Sequence, residues 1–502
     1  MVPTIGLLCA ITSGIGDTSL IALDHTDVAT KLILPTPGQL LVADQLPKRP
    51  ANSHYISAVV LVLSARTLEL LRQLQLPNGS TGVKDICLSP NGNYASMTHV
   101  VGNFRRPAIH PGQNWIAANA LSIIDITKFE LLGSVLLDDR GNGAANPGGM
   151  AFSEDGKILV VTHAGTHEIS IIDFPALLNS ILDLPAPVDP LSRKSRLFSQ
   201  HEVDFANYVP FFPSPRRRVK LPEGDLGPRS VVVVGRTAFV TNYFSETVTL
   251  LDLLDPNVKP QSIPLGTNVA PGKPLTRAET LARMPLAKRG EFYFHDATIC
   301  FQHWMSCSSC HPDGRADGLN WDLLNDGIGN PKNTKSLLYA HKTPPAMWLG
   351  VRDTAETAVR AGLRHILFAK PSEEIAVAID EYIKSLRPAP SPYLVDGKLS
   401  GMAEQGKEVF TKAGCVTCHP PPLFTDLHHY DVGTRAAYDK PADFFDTPDL
   451  VELWRTPPYL HDGSAATVRD VITRKNPHDE HGKTSDLSAG EIDDLCAYLL
   501  SL

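Results

Sequence analysis

The chain has 502 residues and a formal net charge of −8, with 43% hydrophobic and 20% charged residues. That length exceeds what one hydrophobic core supports and predicts two or three domains. The negative balance argues against nucleic acid as a partner, and no apolar run reaches the roughly 18 residues that span a bilayer.

At the N-terminus, Val2 to Ile11 is apolar but short, and no Lys or Arg precedes Lys31, so an export leader is not convincing. Either the true start lies upstream or the leader is atypical; Cys9 is a poor lipidation site. The first 265 or so residues repeat a theme of a Gly-containing turn and short apolar strands. One strand of each repeat reads Ala58 to Leu63, Leu121 to Asp125, Ile169 to Asp173 and Val248 to Asp252. Turns such as Ser89-Pro90-Asn91-Gly92 and Ser153-Glu154-Asp155-Gly156 precede them, and Pro228 to Val240 supplies a third variant. β-Branched strands at this spacing predict propeller blades, four or five of them, with a plain β-sandwich as the alternative. The pattern resembles the YVTN-type β-propeller family. Leu178 to Gly227 reads as a long Pro-rich insertion.

From Pro271 the pattern turns helical, with Leu275 to Leu286 leading to Cys307-Ser308-Ser309-Cys310-His311. Helical spacing of Ile375, Ala378, Ile379, Tyr382, Ile383 and Leu386 closes this unit, and Arg387 to Pro392 is a Pro-rich linker. The theme then recurs. Gly406 to Phe410 precedes Cys415-Val416-Thr417-Cys418-His419, and Ser488 to Leu502 is an amphipathic terminal helix. In Cys-x-x-Cys-His the two thiols attach haem c by thioether bonds and the histidine is the proximal iron ligand, so two covalently bound haems are predicted. Zinc knuckles would need a shorter spacer, and neither motif opens a helix after a strand as a thioredoxin-like pair does. Cys87, Cys300 and Cys496, like Cys9, read as buried free thiols. The expected architecture is multidomain: an all-β propeller over 1–268, a first all-α cytochrome c domain over 269–387, a linker over 388–400 and a second cytochrome c domain over 401–502.

Further segments carry a resemblance. Phe292 to Asp296, Gly314 to Gly318, Lys332-Asn333-Thr334, Met347-Trp348-Leu349-Gly350 and Trp454 to Ser464 are similar to the bacterial dihaem cytochrome c peroxidase family, which includes the dihaem enzyme that matures the cofactor of methylamine dehydrogenase. The resemblance covers Arg289 to Leu502. It implies a peroxidatic first haem on His311 and an electron-transfer second haem on His419, with hydrogen peroxide as oxidant and a small cytochrome c or cupredoxin as electron donor. It places a distal acid–base group at Glu356, against a solvated helix-face role, and a tryptophan between the haems at Trp321, against core packing. Leu349 and Val351 depart from the family's Trp-Asp-Gly-Arg pattern. No Met follows Met402 and no Tyr lies between Tyr459 and Tyr498, so the family's distal ligand of the second haem is missing. His481, ahead of His478, is the expected replacement. His365 is a possible cap on the first haem or a core histidine. Thr456 and Pro458, with Asp317 or Asn320, match a calcium site of the family.

The function this implies is a peroxidase-like oxidoreductase of the periplasm or cell surface, with an unknown propeller ligand. Two alternatives stay open: a non-catalytic electron-transfer cytochrome, and an oxidase of a protein or organic substrate presented by the propeller.

Overall fold

The computed structural model describes residues 9–10, 20–21, 29–36, 38–47, 49–104, 107, 116–183, 209, 216–265, 275–323 and 327–502. Up to Pro264 they form a two-stranded pairing of Cys9–Ala10 with Leu20–Ile21, four four-stranded antiparallel meanders and a helix over Phe174–Leu182. The first comprises Ala29–Thr36, Gln39–Asp44, Val59–Ser64 and Leu70–Gln75; the second Ser80–Leu88, Tyr94–Gly102, Ala117–Asp125 and Glu130–Leu136. The third comprises Pro147–Phe152, Ile158–His163, Glu168–Asp173 and Arg216–Lys220; the fourth Pro228–Val234, Thr237–Asn242, Thr247–Asp252 and Gln261–Pro264. Each strand singled out in the repeat is the third of its sheet. Most of the predicted insertion lies outside the described residues, but its end, Arg216–Lys220, pairs with Glu168–Asp173 as the fourth strand of its sheet. Its Arg-Arg-Arg-Val-Lys run lacks the apolar alternation by which a half-buried strand is read.

The sheets stack in chain order because their strands are apolar on both faces. Leu41, Val60 and Val62 meet Ile86 and Met97 between the first and second sheets, Leu121 and Ile123 meet Leu159 and Val161 between the second and third, and Val160 and Ile169 meet Val231 and Val240 between the third and fourth. The first strands of consecutive sheets stand side by side.

Beyond Pro264 the described chain is mainly helical, with two short strand pairings, Asn320–Trp321 with Lys332–Asn333 and His429–Tyr430 with Phe445–Asp446. The expected helix over Leu275 to Leu286 is two, Arg277–Ala282 and Leu286–His295, separated at Pro285, which cannot donate within a helix. The first unit is completed by Cys307–Cys310, Ala355–His365 and Glu373–Ser385, the second by Gly401–Lys412, Val468–Ile472 and Ala489–Leu500.

The two units are copies of one design. Helix 286–295 crosses helix 373–385 at Gly290, where any Cβ would collide with the Ala378 carbonyl and touch Tyr382; helix 401–412 crosses helix 489–500 at Gly406, where it would collide with the Asp494 carbonyl and touch Tyr498. Thr343-Pro344-Pro345-Ala346-Met347-Trp348-Leu349-Gly350 matches Thr456-Pro457-Pro458-Tyr459-Leu460-His461-Asp462-Gly463. Met347 and Leu460 share a left-handed backbone, φ 75° and 74°. Crossed bonds join the copies: Asn333 N–H donates to His461 O at 2.7 Å and Asp446 N–H to Trp348 O at 2.8 Å. The Trp348 and His461 rings meet edge to face, 6.5 Å between centroids.

The helical half seats on the sheets through buried polar contacts. Asn119 Nδ2 donates to Trp304 O at 2.9 Å, Thr81 Oγ1 to Asp317 O at 2.7 Å and Asn146 Nδ2 to His295 O at 2.8 Å. Ala51 N–H donates to Gly463 O at 2.8 Å, so the second unit touches the sheets as well.

Candidate functional site

A cavity in the first unit is lined by Cys307, Cys310 and His311, so the attachment residues share one enclosed space. His311 Nδ1 lies 2.9 Å from Arg315 O, which accepts its N–H and leaves Nε2 for a metal. Arg315 is itself locked to the second unit, its Nε and Nη2 on Glu452 at 2.5 and 2.9 Å. In the second unit His419 Nδ1 lies 2.7 Å from Phe424 O, the same arrangement. Both histidines fit a proximal role, and burial holds both below the usual histidine pKa, so they stay neutral and able to bind iron.

The opposite faces differ. In the second unit the His481 ring stands 6.3 Å from the His419 ring, centroid to centroid. An iron between two imidazoles at about 2 Å from each nitrogen would hold the centroids roughly 6 Å apart, so the pair fits an iron between them. His481 Nδ1 is buried without a hydrogen-bond partner, and burial, then the His419 charge, lowers its pKa to about 4. Asn476 sets the loop: its Oδ1 accepts the His481 N–H at 2.9 Å and its Nδ2 donates to Gly482 O at 2.8 Å. His478, the other candidate, is exposed.

The first unit has no such loop. After the matched Thr354 and Thr467 caps its helix runs on from Ala355 to His365, against five residues in the second unit. It presents Ala355, Ala358, Val359, Gly362 and Leu363 to the cavity, and a Cβ at Gly362 would meet nothing within 4 Å.

Glu356 is not on that face. Its carboxylate, 39% exposed, lies 3.5 Å from His341 Nε2 and 3.4 Å from Lys384 Nζ. A helix turns about 100° per residue, so the position next to Ala355 and two before Ala358 faces away from the cavity. His365 is likewise exposed and outside the lining. Trp321 lines the cavity, but its ring edge rests on the sheet-rich half, where a Cβ at Gly102 would lie 2.8 Å from Cη2. The tryptophan at the junction of the two units is Trp348; its place opposite His461 was legible in the repeated Thr-Pro-Pro segment.

The expected cation ligands are engaged within the protein. Asn320 Nδ2 donates to Asp462 O at 2.7 Å and its Oδ1 accepts from Asn333 Nδ2 at 3.1 Å. Asp317 accepts from Leu319 N, Thr334 Oγ1 and Trp321 Nε1. Thr456 Oγ1 turns back to Leu453 O at 3.4 Å. The Asp317 and Asn320 side chains are thus taken up within the protein, and among the described residues no three His, Cys, Asp or Glu gather as metal ligands; the resemblance draws Thr456 and Pro458 through their backbone oxygens. Among the described residues no helix is long and apolar enough to cross a membrane.

No family model matches the chain. It is 31% identical over 273 residues to hydrazine synthase subunit gamma of Kuenenia stuttgartiensis, covering 43% of this chain and 77% of that protein. It is 26% identical over 297 residues to cytochrome-c peroxidase IdrP2 of Denitromonas iodatirespirans, covering 43% and 81%. To methylamine utilization protein MauG of Methylophilus methylotrophus it is 25% identical over 301 residues, covering 49% and 87%. A solved structure of Kuenenia stuttgartiensis hydrazine synthase is similar at 29% identity and a TM-score of 0.43, covering 49% of this chain and 100% of that one.

Proposed function

This chain belongs to the dihaem cytochrome c peroxidase family, and on that premise we propose that it is a dihaem oxidoreductase whose second haem relays electrons to a first haem that reduces hydrogen peroxide. When bound, each haem supplies an iron that gives and takes single electrons. The observation that carries the reading is the inequality of two matched units: His481 closes the second, and a face of Ala355, Ala358 and Gly362 leaves room in the first. His311 and His419 hold the two groups from the proximal side. His481 in place of a thioether lowers the potential of the second site. Trp348 and His461, in contact across the junction, are the groups through which the sites communicate.

Peroxide cleavage is accelerated by a side chain that moves the proton between its oxygens, typically by 10²–10⁴. The helix face over the first site carries no titratable group, but Asp446, Asp449 and Lys335 line the same cavity from other segments, and Asp449, whose pKa burial raises to about 7, is the group placed to move that proton. The electron donor on this reading is a small cytochrome c or cupredoxin, and the two Cys-x-x-Cys-His motifs support a periplasmic or cell-surface location. The four meanders are an arc of propeller blades that presents a ligand or docks a partner.

Stopped-flow absorption of the half-reduced holoprotein mixed with one equivalent of hydrogen peroxide tests the reading. Reoxidation of the one reduced haem, with cyanide binding only the other, is expected. Two haems that neither react with peroxide nor bind cyanide make the protein an electron carrier instead.

A further inference from the structure

Two tryptophans line the first cavity, and their indole N–H groups end differently. Trp348 Nε1 donates to a neutral acceptor, Asn333 O, at 2.7 Å. Trp321 Nε1 donates to a carboxylate, Asp317 Oδ2, at 2.9 Å. Asp317 is fully buried, and its other oxygen accepts from Leu319 N at 3.0 Å and Thr334 Oγ1 at 2.7 Å. Thr81 of the sheet-rich half holds the Asp317 carbonyl, and Trp321 lies flush on Gly102 in a pocket that leaves it 6% exposed. The pair is therefore fixed from both halves and shielded from water.

An indole that loses an electron becomes a strong acid. A carbonyl oxygen cannot keep the released proton, whereas a carboxylate can, and a short hydrogen bond inside a dry pocket lets it move without solvent rearrangement. From this we infer that Trp321 is a one-electron relay of the first haem and Asp317 its proton acceptor. The inference rests on the first haem meeting a hydroperoxide, and assigns that same site a protein-based redox group. Reduction of a hydroperoxide ROOH to ROH and water takes two electrons and two protons, the protons drawn from solvent. One electron reaches the first site through the second, and Trp321 supplies the other while its N–H proton crosses to Asp317 Oδ2. A neutral indolyl radical and a neutral carboxylic acid result. An external one-electron donor then restores Trp321, and the proton returns from Asp317. Burial raises the Asp317 pKa to about 7, which keeps the carboxylate populated at neutral pH and leaves it basic enough to accept.

The test uses the holoprotein with both haems, grown with ring-deuterated tryptophan, mixed with one equivalent of hydrogen peroxide and frozen within milliseconds for electron paramagnetic resonance. An organic radical whose line narrows with the label is expected. Trp321→Phe should lower its yield, and Asp317→Asn its lifetime, by at least about tenfold, with unchanged haem absorption spectra before mixing. A radical undiminished in Trp321→Phe, or no radical although the haem absorption responds to peroxide, overturns the relay and leaves the oxidoreductase standing. A haem absorption that ignores peroxide in the wild-type protein overturns the peroxide reading and the relay with it.

Discussion

The two helical units differ chiefly in what fills one stretch of chain. Both cross their long helices at a glycine, both anchor a proximal histidine through Nδ1 to a backbone carbonyl, and both carry a Thr-Pro-Pro turn. After the matched threonine caps, the second unit spends its residues on a loop that delivers His481, and the first on helix that delivers alanine and glycine. On the proposed reading, two sites of unequal chemistry arise from one scaffold by exchanging the His481 loop for an apolar surface, so that attachment belongs to the shared part and reactivity to the part that differs.

The sharpest way to break that contrast is to remove its defining ligand. His481→Ala should convert one of two haems from low to high spin completely in the absorption and paramagnetic resonance spectra, and His478→Ala should change neither; an unaltered spectrum in His481→Ala ends the bis-histidine assignment. Next in size is a gain. Ala358→Glu places a carboxyl on the bare helix face and should speed the peroxide reaction on the order of 10²-fold in stopped-flow traces, since that is what a positioned acid–base group contributes. No gain would mean that this face does not look onto the reacting site.

The shared scaffold can be probed by symmetry. Gly290→Ala and Gly406→Ala each force a methyl against a backbone carbonyl and should each cost about 1–3 kcal/mol in thermal unfolding, by separating the paired helices. A variant that unfolds like the wild type would show that the two crossings are not equivalent. Smaller is the pH dependence from Asp317. Its folded pKa of about 7 lies above the unfolded value near 4, so the folded state binds the proton more tightly. Stability from this group is present at low pH and declines as pH rises from about 4 to about 7, by at most on the order of 1 kcal/mol per pH unit. Asp317→Asn should flatten that part of the melting-temperature profile; an unchanged slope would place the titration elsewhere. Smallest of all, Glu356→Gln should leave the peroxide rate within about twofold, because its carboxylate sits with His341 and Lys384 outside the cavity.

What the chain disclosed in advance follows from how local each signal is. Cys-x-x-Cys-His is a covalent chemistry written in five adjacent residues. The third strands of the sheets were legible because each is a run of β-branched and aliphatic residues ending at a turn. Glu356 lies outside the cavity lining because helical phase, not distance along the chain, decides which residues face a cavity, and one step of rotation separates it from Ala355. Trp321 was placed between the haems by the family resemblance alone, at a distance from His311 that differs from the family's, whereas a short strand pairing, Trp321 with Lys332, carries it to the sheet side. Arg216–Lys220 escaped notice because pairing with the third strand, rather than its own composition, makes it a strand. His481 was proposed because the family's Met or Tyr is missing from the segment, and the Asn476 contacts that hold its loop belong to the folded chain.

The crossed bonds from Asn333 to His461 and from Asp446 to Trp348 give the two units the relation of partners in a symmetric dimer, with each copy gripping the other through the same pair of positions. In a true homodimer any change at one centre is imposed on both. Written in a single polypeptide, the same handshake frees each centre to vary alone, fixes their one-to-one stoichiometry, and makes their spacing independent of protein concentration.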